Sequence, residues 1–115
     1  MTDAEILADA LAGVLKDRTD CLVVASTDLS HYHPYDEANV IDKRLMDILK
    51  TDRAKELFSA AGQGLCEACG IMPVTAMLLA ADKLGYNSVK ILKYANSGDT
   101  YGDRNRVVGY LSAVV

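Results

Sequence analysis

The chain has 115 residues, of which 50% are hydrophobic and 24% are charged, a composition typical of one globular domain and not of a disordered segment. Its net charge of −4 includes no basic run, which argues against a nucleic-acid partner. The longest apolar stretch, residues 71–81, is far shorter than the ~18 residues of a membrane span, so no membrane association is expected. An acidic N-terminus and an odd number of cysteines indicate a cytoplasmic protein with reduced thiols.

The first predicted elements are a helix over residues 3–16 and a strand over residues 21–26. Thr2 and Glu5 have the spacing of a capping box, and apolar residues follow at helical intervals. Residues 21–26 are apolar and rich in β-branched side chains without polar alternation, so this strand is expected to be covered on both faces. A polar loop, residues 26–35, then leaves the strand.

Two helices are predicted in the middle of the chain. The second helix covers residues 36–50, and the apolar residues on one of its faces are Ala38, Ile41, Leu45 and Ile48. A short third helix, capped by Thr51 or Asp52, is expected to end at the glycines of residues 62–64, because glycine adopts the left-handed turn at low cost.

A buried helix and two strands complete the predicted elements. The fourth helix has Pro73 in its first turn and Gly85 at its end. Its apolar side chains lie nearly all the way round the helix axis, which predicts that it is largely buried. Strands over residues 88–94 and 107–115 flank a loop over residues 96–104.

The order of these elements predicts an α/β fold, in which helices pack on a small, mainly parallel or mixed sheet within a single domain, residues 1–115. Three strands are fewer than the about four to six of a typical sheet, and buried strands with few neighbours leave edges to be covered. We therefore expect the chain to contribute part of a larger sheet, completed by sequence outside it or by self-association.

The first candidate site is the loop after the strand of residues 21–26. It contains Asp28, His31, Tyr32 and His33 at the carboxyl end of a strand, where open α/β sheets place their ligand sites. A carboxylate beside an imidazole fixes the tautomer of the ring for proton transfer or for metal binding. A structural helix cap explains the same residues equally well.

The second candidate site is the pair Cys66-x-x-Cys69 at the start of the fourth helix, where a helix N-terminus favours thiolates. One such pair is half of a structural zinc site, to which His31 would add a third ligand. A thioredoxin-type redox pair and two buried thiols without a chemical role are the alternatives.

A third candidate is the loop of residues 97–104, which contains two glycines and several hydroxyl groups. It is suited to contact a ligand. The connection of a long hairpin is the favoured explanation of the same residues.

Three motifs of the chain resemble those of the Memo-like family, in the same order and over nearly the whole length. The first is the run Ser-Thr-Asp-Leu-Ser-His-Tyr at residues 26–32, and the second is Cys-Gly-x-x-Pro at residues 69–73. The third is Tyr-Ala-Asn-Ser-Gly-Asp at residues 94–99, followed by Val-Val-Gly-Tyr at residues 107–110.

The resemblance implies a larger three-layer α/β fold similar to that of class III extradiol ring-cleavage dioxygenases. Bacterial and archaeal members are described as predicted dioxygenases and as the B component of the AmmeMemoRadiSam system, which includes a radical-SAM protein, whereas animal members are linked to receptor-kinase-driven cell motility. By motif, Cys69 corresponds to a metal-ligand cysteine, and His31 to a histidine that transfers protons near the metal, with Asp28 in the same pocket. A Cys/His site suits iron, copper or zinc.

Members of the family are longer, and the resemblance places two further metal-ligand histidines in their N-terminal half. The chain is therefore expected to be the C-terminal part of a Memo-like protein with an incomplete metal site, for which His33 and Cys66 are secondary candidate ligands. Three interpretations stay open. In the first, the chain is part of a metal-dependent, dioxygenase-like oxidoreductase. In the second, it is a non-enzymatic module that binds a peptide or small ligand in the same cleft. In the third, it is a structural fragment that needs its other half.

Overall fold

The computed structural model of the protein describes residues 1–51, 54–100 and 102–115. Its elements are, in chain order, α1 (Thr2–Leu15), β1 (His31–His33), α2 (Tyr35–Lys50), α3 (Ala54–Gly62), α4 (Ile71–Lys83), β2 (Lys90–Asn96) and β3 (Val107–Val114), with a 3-10 turn, Ser97–Asp99, between the last two strands. The four predicted helices are confirmed. Within this described part of the chain, none of them combines the length and the apolar character that crossing a bilayer requires.

The start of α1 differs from the prediction. The helix is capped by the backbone of Met1, and no side chain makes a capping hydrogen bond. The predicted capping box of Thr2 and Glu5 is therefore wrong, because both residues lie inside the first turn. The Glu5 carboxylate instead lies 3.2 Å from the Lys55 ammonium group.

The ends of α2 and α4 show which residues close a helix here. The Thr51 hydroxyl donates to the Ile48 carbonyl oxygen at 2.7 Å, so Thr51 ends α2 and does not cap α3 as predicted. The alternative cap, Asp52, lies outside the described residues. Pro73 is in the first turn of α4, and Gly85 follows that helix with a positive φ of 90°, both as predicted.

The three described strands form one sheet in the order β1-β3-β2, and both strand pairs are antiparallel. The predicted α/β fold is confirmed, whereas the expectation of a mainly parallel or mixed sheet is wrong. The reason is the short connection between β2 and β3, because a parallel pair requires a crossover of a dozen or more residues. The hairpin leaves β3 in the centre of the sheet, with β1 on its other side.

Residues 21–26 are not a strand in the structure, which corrects the prediction of a strand covered on both faces. No backbone hydrogen bond links them to any other described residue. Leu22 is 87% exposed and Val24 is 76% exposed. A strand exists only where a neighbour pairs with its backbone groups, and within the described part of the chain no strand pairs with this segment.

The hydrophobic core lies between the sheet and helices α2, α3 and α4. Its largest buried apolar side chains are those of Leu29, Leu45, Leu49, Leu57 and Leu78. Helix α1 packs on α4 through Ala4 and Ala8, both fully buried. Ile6 and Val14 of the same helix are more than half exposed. The outer face of α1 therefore exposes apolar side chains to solvent.

Candidate functional site

Three potential metal ligands from two distant parts of the chain meet at one point. One ligand atom each from Asp28, His31 and Cys69 lies within 4.8 Å of the others. The His31 Nε2 atom is 3.6 Å from an oxygen of the Asp28 carboxylate, and both side chains are partly exposed. The structure thus brings together a carboxylate, an imidazole and a thiol at the surface. We call Asp28, His31 and Cys69 the ligand cluster.

The segment that carries Asp28 and His31 is fastened to the central strand β3. The Leu29 amide donates to the Gly109 carbonyl oxygen at 2.9 Å, and the Gly109 amide donates to the Ser30 carbonyl oxygen at 3.0 Å. Directly afterwards His31 begins β1, which pairs with β3. Because these bonds fix the backbone on both sides of His31, they define where its ring can lie.

Cys69 reaches the cluster through the turn that starts α4. The Asp28 amide donates to the Cys69 sulfur at 3.2 Å, and the Cys69 amide donates to the Asp28 carbonyl oxygen at 3.2 Å. The Thr27 hydroxyl donates to the Asp28 carbonyl oxygen at 2.7 Å and accepts from the Gly70 amide at 2.8 Å. The sulfur therefore accepts a hydrogen bond from a backbone amide and lies directly before the start of α4.

Gly70 is required by this close contact between the two segments. A Cβ atom at this position would lie 2.6 Å from the Ser26 carbonyl oxygen and 2.8 Å from the Thr27 Cβ atom. No side chain fits at such distances without moving the backbone. The glycine therefore allows the turn of Cys69 to approach the segment of Asp28.

His33 lies beside the ligand cluster but does not join it. Its Nε2 atom is 2.7 Å from the Glu67 carboxylate, and its Nδ1 atom is 3.4 Å from the Glu37 carboxylate. The hydrogen bond that the His33 ring donates to Glu67 and the negative charges of Glu67 and Glu37 raise the pKa of His33. The second oxygen of Glu67 accepts from the His31 amide at 3.3 Å. Glu67 therefore links the β1 segment to the cysteine turn.

The two remaining candidates take different positions. Cys66 is buried and is not among the clustered ligand atoms, and burial together with the charges of Asp42 and Glu67 raises the pKa of its thiol. Tyr32 is exposed, has a positive φ of 63°, and lies under the guanidinium group of Arg106 at 4.9 Å. A positive φ is uncommon for a bulky residue, so the backbone beside His31 is held in a strained conformation.

The loop of residues 97–104 serves as the connection of the β2–β3 hairpin, the explanation that the sequence favours. Its polar groups bond close by. The Asn96 side chain accepts from the Gly98 amide at 2.9 Å, and the Tyr35 hydroxyl donates to Asp99 at 2.5 Å. Within this loop, Tyr101 lies outside the described residues.

A cleft of about 420 Å³ opens beside the ligand cluster. The apolar side chains that line it are Leu29, Phe58, Ala61, Ala68 and Ile71, and His31 and Cys69 contribute to the same wall. A small ligand in this cleft would contact apolar groups on one side and the ligand cluster on the other. The cleft is open to solvent and combines an apolar wall with a few polar groups.

Sequence reasoning assigned no role to three residues that support the cluster, namely Thr27, Asp42 and Glu67. For Asp42 a signal was present. In α2 the buried residues are Ala38, Asp42, Leu45 and Leu49, so an acid occupies one position of the apolar stripe. A charged residue within such a stripe indicates a buried polar partner.

The chain matches known proteins over almost its whole length. The sequence profile of Memo-like proteins matches residues 1–114. A MEMO1 family protein of Sulfolobus acidocaldarius is 38% identical over 110 residues, which are 95% of this chain and 38% of the relative. MEMO1 family proteins of Methanocaldococcus jannaschii (44% over 95 residues, 82% of this chain and 33% of the relative) and Aquifex aeolicus (38% over 104 residues, 90% and 39%) are similar as well. The chain spans somewhat over a third of the length of these relatives.

Proposed function

The chain belongs to the Memo-like family, and from this premise we propose that it supplies part of a metal-dependent, dioxygenase-like oxidoreductase site of the non-haem iron or copper type. The observation that carries the proposal is the convergence of Asp28, His31 and Cys69 within 4.8 Å. The three residues come from the β1 segment and from the turn before α4, so local folding alone does not explain their meeting.

The donor set fits a transition metal. A thiol and an imidazole suit iron, copper or zinc, whereas magnesium and calcium prefer oxygen ligands alone. In this proposal Cys69 and His31 hold the ion. When bound, the ion would bring substrate and oxygen together.

The chain's own residues would manage protons and access. The Asp28 carboxylate, 3.6 Å from His31 Nε2, orients the ring. A His31 side chain that is not engaged by the metal would give or accept a proton at Nε2. The apolar wall of the adjoining cleft would exclude water from one side of the site.

Two ligands, Cys69 and His31, leave coordination positions for further ligands. We propose that protein outside these 115 residues supplies them, either the additional length that the relatives have or a second copy. A radical-SAM protein as a functional partner is a proposal that rests on the family alone.

Titration with Fe²⁺, Cu⁺ and Zn²⁺ under anaerobic conditions tests the proposed site. We expect Asp28→Ala, His31→Ala and Cys69→Ser to weaken binding about tenfold or more, the range found when ligands and their close supports are lost. The matched controls are His33→Ala and Cys21→Ser, which make the same changes outside the ligand cluster. Equal metal binding by all five variants would overturn the proposal.

A non-enzymatic binding module is the second candidate function, and the apolar cleft of about 420 Å³ favours it. In that case the cleft would hold a peptide or small ligand without a metal. Ligand binding would then survive His31→Ala and fall with a substitution such as Phe58→Ala in the cleft wall. Loss of ligand binding in a folded His31→Ala variant would count against this alternative.

A further inference from the structure

We propose that Asp42 is a positioning residue, which holds Asp28 and His31 in place relative to Cys69 without touching the ligand cluster itself. The inference deepens the proposed function and rests on it. It starts from the fully buried carboxylate of Asp42 in the middle of α2. This carboxylate has no role in the metal-binding proposal.

The Asp42 carboxylate accepts three hydrogen bonds. Its Oδ1 atom accepts from the Ser30 amide at 3.0 Å, and its Oδ2 atom accepts from the Ser30 hydroxyl at 3.0 Å. The Tyr94 hydroxyl donates to the same Oδ2 atom at 2.6 Å. A carboxylate only accepts, whereas an amide at this position would present hydrogens to donors. The three converging donors therefore select an acid over its isosteric amide.

No lysine, arginine or histidine among the described residues forms an ion pair with Asp42. Burying such a carboxylate is unfavourable until its hydrogen bonds offset the loss of water. The burial of Tyr94 and its hydrogen bond to Asp42 raise the pKa of the phenol, so it remains a donor over the physiological range. Serine or asparagine in place of Asp42 would avoid a buried charge, but it would accept fewer hydrogen bonds from these three donors.

The backbone is shaped to admit this carboxylate. A Cβ atom on Gly109 would overlap with the Asp42 side chain. The same glycine exchanges backbone hydrogen bonds with Leu29 and Ser30. Residues 29 and 30 are thus held from two sides, by the β3 backbone and by a side chain of α2.

Residues 29 and 30, which are held from both sides, lie between Asp28 and His31, the two members of the ligand cluster in this segment. Asp28 precedes it and is bonded to Cys69 in both directions, while His31 follows it. Movement of Ser30 would therefore shift Asp28 and His31 together against Cys69. Displacements of about 1 Å are enough to impair a metal or catalytic site.

Asp42→Asn tests the inference, with Asp47→Asn as the matched control on the exposed face of the same helix. Both are made in a Cys21→Ser background, so that the exposed Cys21 cannot bind the probe. Binding of Co²⁺ is followed by its thiolate charge-transfer absorption. Exchange of the Asp28 and Cys69 amide hydrogens is followed by NMR without metal.

We expect Asp42→Asn to weaken Co²⁺ binding at least tenfold and to speed exchange of both amides at least tenfold. Exchange in α1 should stay unchanged, as should all values in Asp47→Asn. Affinity and exchange within twofold of the parent would overturn the inference. An equal rise of exchange in α1 would also overturn it, because Asp42 would then support the whole fold and not the site.

Ser30→Ala keeps the inference testable if Asp42→Asn does not fold, since it removes only the hydroxyl contact. We expect about threefold faster exchange at Asp28 and Cys69, and unchanged exchange there would contradict the inference. A parent protein without any cobalt–thiolate absorption would refute the proposed metal site. The amide exchange would even then decide the positioning role of Asp42.

Discussion

Residues 21–26 and residues 27–31 are adjacent in the sequence but differ in their exposure and in their hydrogen bonding. The first stretch is apolar, largely exposed, and without backbone hydrogen bonds to other described residues. The second is bonded to β3, to α2 and to the turn before α4. The boundary between them lies at Ser26 and Thr27, directly beside Gly70.

The comparison distinguishes residues 27–31, whose conformation is fixed by contacts within this chain, from residues 21–26, whose conformation is not. Hydrogen bonds of residues 27–31 to β3, to α2 and to the turn before α4 hold the ligand cluster within the described part of the chain. The apolar side chains of residues 21–26 have the composition of a buried strand, yet Leu22 and Val24 are largely exposed. We propose that they pack against protein outside the chain, which also covers the outer face of α1.

The largest effect on the free energy of unfolding is expected from a comparison of leucine-to-alanine substitutions on the two sides of this boundary. Leu29 is 1% exposed and Leu22 is 87% exposed. Leu29→Ala should lower the free energy of unfolding by about 3 kcal/mol through lost burial and a cavity. Leu22→Ala should change it by less than about 0.5 kcal/mol. Urea denaturation measures both, and a large loss for Leu22→Ala would show that residues 21–26 are buried in solution.

A second prediction sharpens the boundary itself. Gly70→Ala places a Cβ atom 2.6 Å from the Ser26 carbonyl oxygen, which should cost about 2 kcal/mol. Gly13→Ala is the matched control, because a Cβ on this glycine of α1 meets nothing within 4 Å. That change should stabilise the protein by about 0.5–1 kcal/mol through helix propensity. Thermal or urea unfolding of the two variants gives the comparison, and equal effects would contradict it.

The limits of sequence reasoning follow the same boundary. The four helices, the α/β fold and the residues of the ligand cluster were accessible from periodicity, from punctuating glycines and from the motif residues Asp28, His31 and Cys69. The exposure of residues 21–26 was not predictable. A strand-like pattern of apolar residues indicates that a segment is suited to a buried position, but it does not show which chain provides the neighbouring strand. The support by Asp42 required knowledge of which helix packs behind Ser30.

A third prediction concerns the hydroxyl that joins the two segments. Thr27→Val keeps the shape of the side chain and removes the bonds to the Gly70 amide and to the Asp28 carbonyl oxygen. We expect a loss of about 1–2 kcal/mol in unfolding free energy, since a part-buried amide is left without its acceptor. Thr19→Val, at an exposed residue, is the control and should be nearly neutral. A neutral Thr27→Val would show that solvent satisfies the Gly70 amide.

The smallest effect is a pH dependence of the link between His33 and Glu67. The hydrogen bond that His33 donates to Glu67, followed by the charges of Glu67 and Glu37, raises the pKa of His33 in the folded protein above its unfolded value of about 6.5. The stabilisation is therefore fully present below that value, and it is lost as the pH rises through the raised pKa. The unfolding free energy of the parent should exceed that of Glu67→Gln by about 0.5 kcal/mol near pH 5.5, because both groups are partly exposed.

The excess should then shrink towards pH 8.5, and chemical denaturation across this range measures it. Glu37→Gln is the matched control, and its weaker contact of 3.4 Å should give a smaller difference of the same sign. A difference that does not change with pH would show that the His33 ring is neutral when folded. Glu67 would then act only through its bond to the His31 amide, which does not titrate.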